Sequence, residues 1–377
     1  MPARIMNAPR TPVRQSSVRA HNLALVLQTV ANSADRPSRA GISASTGLTR
    51  ATVSALVDDL IAGGLLTEHD PAPRTGAGRP AAGLALSAAG PAGLGLEINV
   101  DYLAACVVDL TGEVRHRFIA RHDQRPLSPG GSLTELGGLA SQAISAATAD
   151  GLAVAGAALA VPGLVTSSGI VRVAPNLDWL DVDAPALLNQ VPGLADLPVV
   201  VDNEANLAAL GELRAGDGEP TFLYVSGEIG IGAGIVLDGE LYRGRRGWSG
   251  EIGHVTVFPD GRLCRCGANG CLEQYAGQEQ VAADADLAAF ALGVALAAVV
   301  NLLDISVIVL GGAYAPEFAR LRPGIEAELT RRVLTASLAP VTLRAATLGP
   351  DAAMRGAAGA VIQQLIDDPA TFLNSTS

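Results

Sequence analysis

Apolar and polar positions recur along this chain in two textures that change near residue 90. From Val18 to Val30 the side chains Leu23, Val26, Leu27 and Val30 fall at helical spacing and predict a first helix. Ile42, Leu48, Val53 and Leu56 then supply the shared core of two short helices, with Gly47 at the turn between them and Thr49 able to cap the second. This is helix-turn-helix spacing. Gly63-Gly64 ends the second helix, and the stretch from Leu65 to Glu68 can pair with that from Leu84 to Ser87 as a winged hairpin. Ahead of it all, residues 1–17 hold Pro2, Pro9 and Pro12 among few apolar side chains and read as a disordered arm.

After Gly93 the texture becomes strand, turn and helix in alternation. Gly95 to Asp101 runs into a second strand, Tyr102 to Leu110, that turns at Thr111-Gly112. Ala153 to Val161 is a buried strand stopped by Pro162-Gly163. Leu197 to Val201 leads into Asp202-Asn203-Glu204-Ala205-Asn206 and a helix. Phe222 to Val225 precedes a glycine-rich stretch, a strand resumes from Ile235 to Leu237, and Val307 to Leu310 ends in Gly311-Gly312. Strands with glycine or polar clusters at their carboxyl ends are where α/β proteins hold ligands.

Composition narrows the class. At 377 residues the chain exceeds one core, so two or three domains are expected, and 49% hydrophobic against 17% charged residues describes a globular protein. The longest apolar stretch, Leu287 to Val300, falls short of the roughly 20 residues a bilayer needs and reads as a buried helix. No apolar segment follows the N-terminal arginines to make a secretory signal, and the cysteines form no disulfide framework, which together predict a cytoplasmic protein. Net charge is −11, yet residues 1–90 hold nine Arg against five Asp or Glu. An acidic body with a basic head implies that only the head meets a polyanion. Arg50, Thr52 and Ser54 at the start of the second helix are the candidates for major-groove contacts, with Thr49 on a phosphate. Arg74 and Arg79, on the loop of the hairpin, suit a narrow minor groove.

The most specific chemistry lies in His254, Cys264, Cys266 and Cys271. Three of the four cysteines and one histidine, spaced His-x9-Cys-x-Cys-x4-Cys among Gly261, Gly267 and Gly270, predict a closed tetrahedral Zn²⁺ site. Four protein ligands leave no open position, so the ion is expected to hold structure. Glu251, three residues before His254, and Glu273, two after Cys271, would be aimed at one place by a loop folded round it.

These segments resemble the ROK family of repressors and sugar kinases, specifically its transcriptional regulators. The resemblance rests on Val161-Pro162-Gly163, Ala174-Pro175-Asn176-Leu177, Asn203-Glu204-Ala205-Asn206, Gly250-Glu251-Ile252-Gly253-His254 and the run from Cys264 to Glu273. It implies an α/β fold: an N-terminal winged helix-turn-helix over residues 18–90, then two ribonuclease H-like lobes, as in actin and hexokinase. Those lobes would span residues 91–205 and 206–377, with the zinc loop in the second and a C-terminal helix returning to the first. Carried over by position, sugar contacts fall on Gly163, Asn176, Asn203, Glu204, Glu251, His254 and Glu273.

The same resemblance argues against phosphoryl transfer. Kinases of the family carry Asp-x-Gly-Gly-Thr at the end of the first strand, and here the stretch is Glu97-Ile98-Asn99-Val100-Asp101. Without those glycines the backbone cannot approach a phosphate closely. Glu228-Ile229 stands where the second phosphate loop has Gly-Thr. Glu204 replaces the catalytic aspartate. The chain therefore reads as a sugar-responsive DNA-binding regulator, a repressor, working as a homodimer or homotetramer on operator DNA with a monosaccharide effector and structural zinc. The rival is a ROK sugar kinase with a fused DNA-binding domain. Between Glu273 and Leu287 only a short acidic stretch remains where the family has a longer helical segment.

Overall fold

A computed structural model describes residues 15–69, 82–215 and 218–375. They divide into two compact units, one holding the described residues up to Pro91 together with those from Gln363 onward, the other Ala92–Ile362.

In the first unit, α1 (Gln15–Ala31), α2 (Arg39–Thr46) and α3 (Arg50–Ala62) precede an antiparallel hairpin of β1 (Leu66–His69) and β2 (Gly83–Leu86). Helix α2 starts because Ser38 Oγ accepts from Gly41 N at 3.1 Å, and it stops where Gly47 turns left-handed at φ 74°. Thr49 caps α3 in the same way, accepting from Thr52 N at 3.2 Å. Leu27, Ile42, Val53, Leu56 and Leu84 are fully or almost fully buried, whereas Leu48 is only half-buried. The strands pair in the register Leu66 with Leu86 and Glu68 with Leu84. The expected arm at 1–17 and the wing loop with Arg74 and Arg79 fall largely or wholly outside the described residues, although Gln15–Ser17 already belong to α1. A further element joins this unit. The C-terminal helix Pro369–Ser375 packs on α1, with Leu373 against Gly63, so the end of the chain lies with the head.

The second unit contains two five-stranded sheets. The first, in the order β10-β6-β3-β4-β5, is built from β3 (Pro91–Ile98), β4 (Tyr102–Asp109), β5 (Val114–Arg121), β6 (Ala153–Val161) and β10 (Val199–Asn203). Helices α4 (Pro129–Ala149) and α5 (Ala184–Leu188) accompany it, with a small sheet of β7 (Leu164–Val165), β8 (Ile170–Ala174) and β9 (Trp179–Asp183). The second sheet, β13-β12-β11-β14-β15, uses β11 (Phe222–Gly227), β12 (Ile231–Leu237), β13 (Glu240–Leu241), β14 (Val307–Gly312) and β15 (Thr342–Ala345). Its helices are α7 (Glu273–Ala276), α8 (Gln278–Ala283), α9 (Ala285–Leu303) and α10 (Tyr314–Arg332), so the shortened segment after Glu273 forms two short helices. Helix α9 is long and apolar enough to cross a bilayer by those criteria alone, but here it packs against α10 and α8 with Ala288, Leu292 and Leu296 buried.

Between the sheets lie α6 (Glu204–Ala215) and α11 (Ala352–Asp367). Small residues allow the approach. Gly234 of β12 faces Ala205 and Ala209 of α6, and Gly356 of α11 meets the Leu207 carbonyl, each leaving no room for a Cβ. The stretch Ile231–Gly234, which the sequence leaves as a glycine-rich stretch ahead of the strand from Ile235, is itself part of that strand, and its missing side chains admit a helix. Gly356→Ala should destabilise the protein by about 2 kcal/mol or more through overpacking, measured by urea unfolding; a change within 0.5 kcal/mol, about the scatter of surface substitutions, would contradict this account of the crossing.

Candidate functional site

The ends of β6, β8 and β10 in one lobe, and the β11–β12 turn, the 3-10 turn Ile252–His254 and the start of α7 in the other, surround a single cleft. It is lined by Gly163, Asn176, Asn203, Glu204, Glu251, His254 and Glu273, so all seven residues selected from the sequence meet there. Asn203 organises one wall. Its Oδ1 accepts from Ala205 N at 2.8 Å and Asn206 N at 3.2 Å, which starts α6, while its Nδ2 donates to Gly163 O and Glu204 Oε2, both at 3.0 Å. Below it Asp202 accepts from Asn206 Nδ2 at 3.1 Å and pairs with Arg243 of the other lobe.

The opposite wall depends on glycines. Gly250 turns at φ 95° and its carbonyl accepts from Ala233 N at 2.9 Å, which fixes Glu251 at the rim. A Cβ on Gly230 would stand 3.0 Å from Glu273 Oε2 and 3.2 Å from Asn176 Nδ2, so those two side chains face the bare turn. The cleft also takes in Asn99, Glu228 and Arg265, which the sequence reading did not assign to it. Carboxylates accept and amides both accept and donate, so the walls suit a ligand rich in hydroxyls.

Burial changes these acids. Glu204 is pushed up to about 8 by desolvation, with Glu251, Glu97 and Glu228 adding to the rise. Glu251 is also raised, by burial first and then by Glu273, against the lowering effect of His254.

Alongside the cleft, the ligand atoms of His254, Cys264, Cys266 and Cys271 lie within 4.8 Å of one another. Cys266 Sγ stands 3.6 Å from Cys271 Sγ, and Cys264 Sγ 3.8 Å from His254 Nδ1. Tetrahedral ligands about 2.3 Å from an ion are separated by about 3.8 Å, so this donor set fits a metal. Its scaffold is local: Cys264 N donates to Ala268 O at 2.8 Å, Gly270 N to Arg262 O at 2.8 Å, and Arg262 N to the Tyr275 hydroxyl at 2.7 Å.

In the other unit, Thr49 and Arg50 are exposed at the start of α3, and Thr52 and Ser54 are half-buried. Thr49 and Thr52 share a hydroxyl hydrogen bond of 2.8 Å, so part of their capacity is already used within the helix cap. Arg39, bound to Asp58 and to Ser54 O, braces the same helix.

A model of the ROK family matches residues 93–288 and 276–364. This chain belongs to the ROK family. The xylose repressor of Caldicellulosiruptor bescii is 35% identical over 264 residues, covering 68% of this chain and 64% of that repressor, so the chain spans under two thirds of this relative's length. A crystal structure of a ROK family transcriptional regulator, a homologue of the E. coli Mlc protein, matches with a TM-score of 0.79 at 25% identity over 95% of this chain and 99% of that one. A ROK glucokinase from Streptomyces griseus, in complex with glucose and AMPPNP, matches with a TM-score of 0.62 at 28% identity, over 72% of this chain and 99% of the kinase.

Within this ROK fold, the end of the cleft towards β3 is crowded with acids. Glu97 is buried, accepts from the Tyr102 hydroxyl on Oε1 and leaves Oε2 without a hydrogen bond. Desolvation raises it to about 7, against that hydrogen bond and helped by Glu228; Glu228 rises to about 7 through burial and Asp101. Both carboxyls hold their protons more tightly in the folded than in the unfolded chain. Their contribution to stability is therefore complete below about pH 4.5 and is lost as pH rises through about 7. Glu97→Gln should remove ~2 kcal/mol of the stability lost between about pH 5 and 8, read from denaturant unfolding at each pH; an unchanged slope would show that Glu97 is ionised when buried.

Proposed function

We propose that this protein is a sugar-responsive transcriptional repressor of the cytoplasm, whose body binds a monosaccharide in the cleft and whose winged helix-turn-helix head binds operator DNA. The observation that carries the reading is the pairing of a complete hydroxyl-binding cleft with an acidic phosphate end. Asn99, Val100 and Glu228 stand where ROK kinases need glycines, and Asp101 replaces a threonine. A phosphate charge about 4 Å from one carboxylate costs about 4 kcal/mol near a protein surface, and a triphosphate brings several charges. The likeness to a named xylose repressor and to a ROK regulator over 95% of the chain supports the same conclusion. Likeness to glucokinases keeps the enzymatic reading testable, and no phosphoryl transfer is expected.

In this reading zinc is the ion that suits three thiolates and an imidazole, and it orders the loop that carries Glu251 and Glu273. Arg50, Thr52 and Ser54 face bases, Thr49 meets a phosphate, and Arg74 and Arg79 reach the minor groove. Two heads are needed to read successive major grooves about 34 Å apart, which makes a homodimer or homotetramer the working form. Sugar and DNA affinities are linked reciprocally, typically by about 1–3 kcal/mol.

Titration of the full chain with monosaccharides, followed by calorimetry and by gel shift on its own upstream DNA, tests the whole reading. A sugar that binds and changes DNA affinity is expected. ADP release with any hexose at more than about 1 s⁻¹, the low end of ordinary turnover, would sink it. Arg50→Ala should weaken operator binding by about tenfold or more, ~1–3 kcal/mol, and leave sugar affinity unchanged; an unaltered gel shift refutes the assignment of α3. Cys266→Ser or prolonged chelation should lower the melting temperature by about 5 °C or more, and an unmoved transition would deny the ion its structural role.

A further inference from the structure

Glu228 enters the sequence reading only as a lost phosphate loop. In the structure its main chain closes the tight β11–β12 turn, Glu228 N donating to Gly230 O at 2.8 Å, while Gln278 N donates to its carbonyl at 3.3 Å. Its side chain has a different task. Glu228 lines the cleft and also a small cavity behind it, which Glu97, Tyr102, Ser226 and Gly312 complete. Asn99 and Glu204, from the other lobe, line both spaces as well. A Cβ on Gly312 would lie 2.7 Å from Glu228 Oε1, so the carboxylate is seated over the bare backbone of β14. Among the described residues nothing donates a hydrogen bond to it and no cation pairs with it.

In its ionised form, an unpartnered carboxylate at the end of a polar cleft can only accept. A sugar hydroxyl can donate to it. A phosphate ester at the same point is itself an acceptor and an anion, so it meets both a missing proton and a like charge. Cations to offset that charge are scarce here. The chain has no lysine, and Arg265 is the one arginine along the cleft among the described residues. Glu204 and Glu251 add to the same negative field.

Resting on the sugar-receptor reading above, we propose that Glu228 is the specificity-determining residue of the cleft. It accepts a hydrogen bond from the hydroxyl at the Glu204 end of a neutral aldose and shuts out the same sugar phosphorylated there. The effector class is thereby named: unphosphorylated aldoses, in preference to sugar phosphates. Glu228 closes the cleft with a fixed carboxylate at the point where a kinase would present its nucleotide.

Isothermal titration of the full chain with a panel of neutral aldopentoses and aldohexoses, D-xylose and D-glucose among them, and with their terminal phosphate esters, provides the test. The ester is expected to bind at least tenfold more weakly than its parent, about 1.4 kcal/mol. In Glu228→Gln and Glu228→Ala that ratio should shrink at least fivefold, with the parent sugar itself held several-fold less tightly. An ester that binds the unmodified protein as well as its parent overturns the proposal, and needs no variant to be seen. So does a ratio unchanged in both variants while the parent sugar still binds. Silence of the unmodified protein towards every sugar and every ester would instead remove the receptor reading, and this inference with it.

Discussion

One carboxamide holds the functional architecture together. Asn203 ends β10, starts α6 by accepting two backbone N–H groups, and spends its own two protons on Gly163 O and Glu204 Oε2. A half-buried amide that satisfies both its acceptor and its donors is well fixed, because rotation would break several hydrogen bonds at once. Through it the turn after β6 and Glu204, the first residue of α6, are tied together. Helix α6 in turn lies on β12 over Gly234, so the position of Glu204 relative to the second sheet is set by a contact too close to adjust. The cleft has a rigid floor for that reason.

That floor carries an electrostatic load. Glu97, Glu204 and Glu228 come from three different segments, and each is raised to about 7 or 8 chiefly by loss of water. Near neutral pH such groups are neither fully charged nor fully neutral, which keeps the repulsion among them tolerable. They also remain able to donate or accept, as a polyhydroxylated ligand requires. The same arrangement would be hostile to a further set of anions. Acidity at one end of the cleft and hydroxyl-binding groups along its walls therefore fit the proposed reading, in which a sugar is bound and phosphate is disfavoured.

Much of this was legible in the sequence because it is written in local patterns. The helical spacing of Leu23 to Val30, the glycine at 47, the hairpin strands and the strand from Ala153 to Val161 all appear where their residues put them. The seven cleft residues meet because each follows a strand end or a glycine turn. What stayed hidden depends on contacts distant in the chain. Ile231–Gly234 does not read as strand until α6 is seen to fill the space above its glycines. The small sheet from Leu164 to Asp183 is too short and too interrupted by Asp178 and Asp181 to declare itself. Nothing local ties residues after Gln363 to the head; contacts distant in the chain, Leu373 against Gly63 and Gln28 bonded to Asp367 among them, reveal it. Glu228 was visible as a departure, but its two-sided position is a property of the assembled cleft.

In the proposed reading, a structural ion in the His254–Cys271 loop would govern binding without touching chemistry. His254 directs Nδ1 towards the thiols, and the residue also lines the cleft, so one ring serves two environments. Glu251 precedes it by three residues, Glu273 follows Cys271 by two, and Arg265 and Cys266 themselves reach the cleft. Between these points the chain is held by turn and bridge hydrogen bonds, such as Val257 N to Gly270 O at 2.8 Å and Leu272 N to Val255 O at 2.9 Å, and not by a continuous helix or ladder. Without a central ligand, ordering this loop would have to be driven by the sugar, and the entropic cost would be subtracted from its affinity. With an ion bound, that cost would be met during folding. The two carboxylates would then wait in place, and selectivity among sugars could rest on the hydrogen bonds they make instead of on the energy needed to gather them.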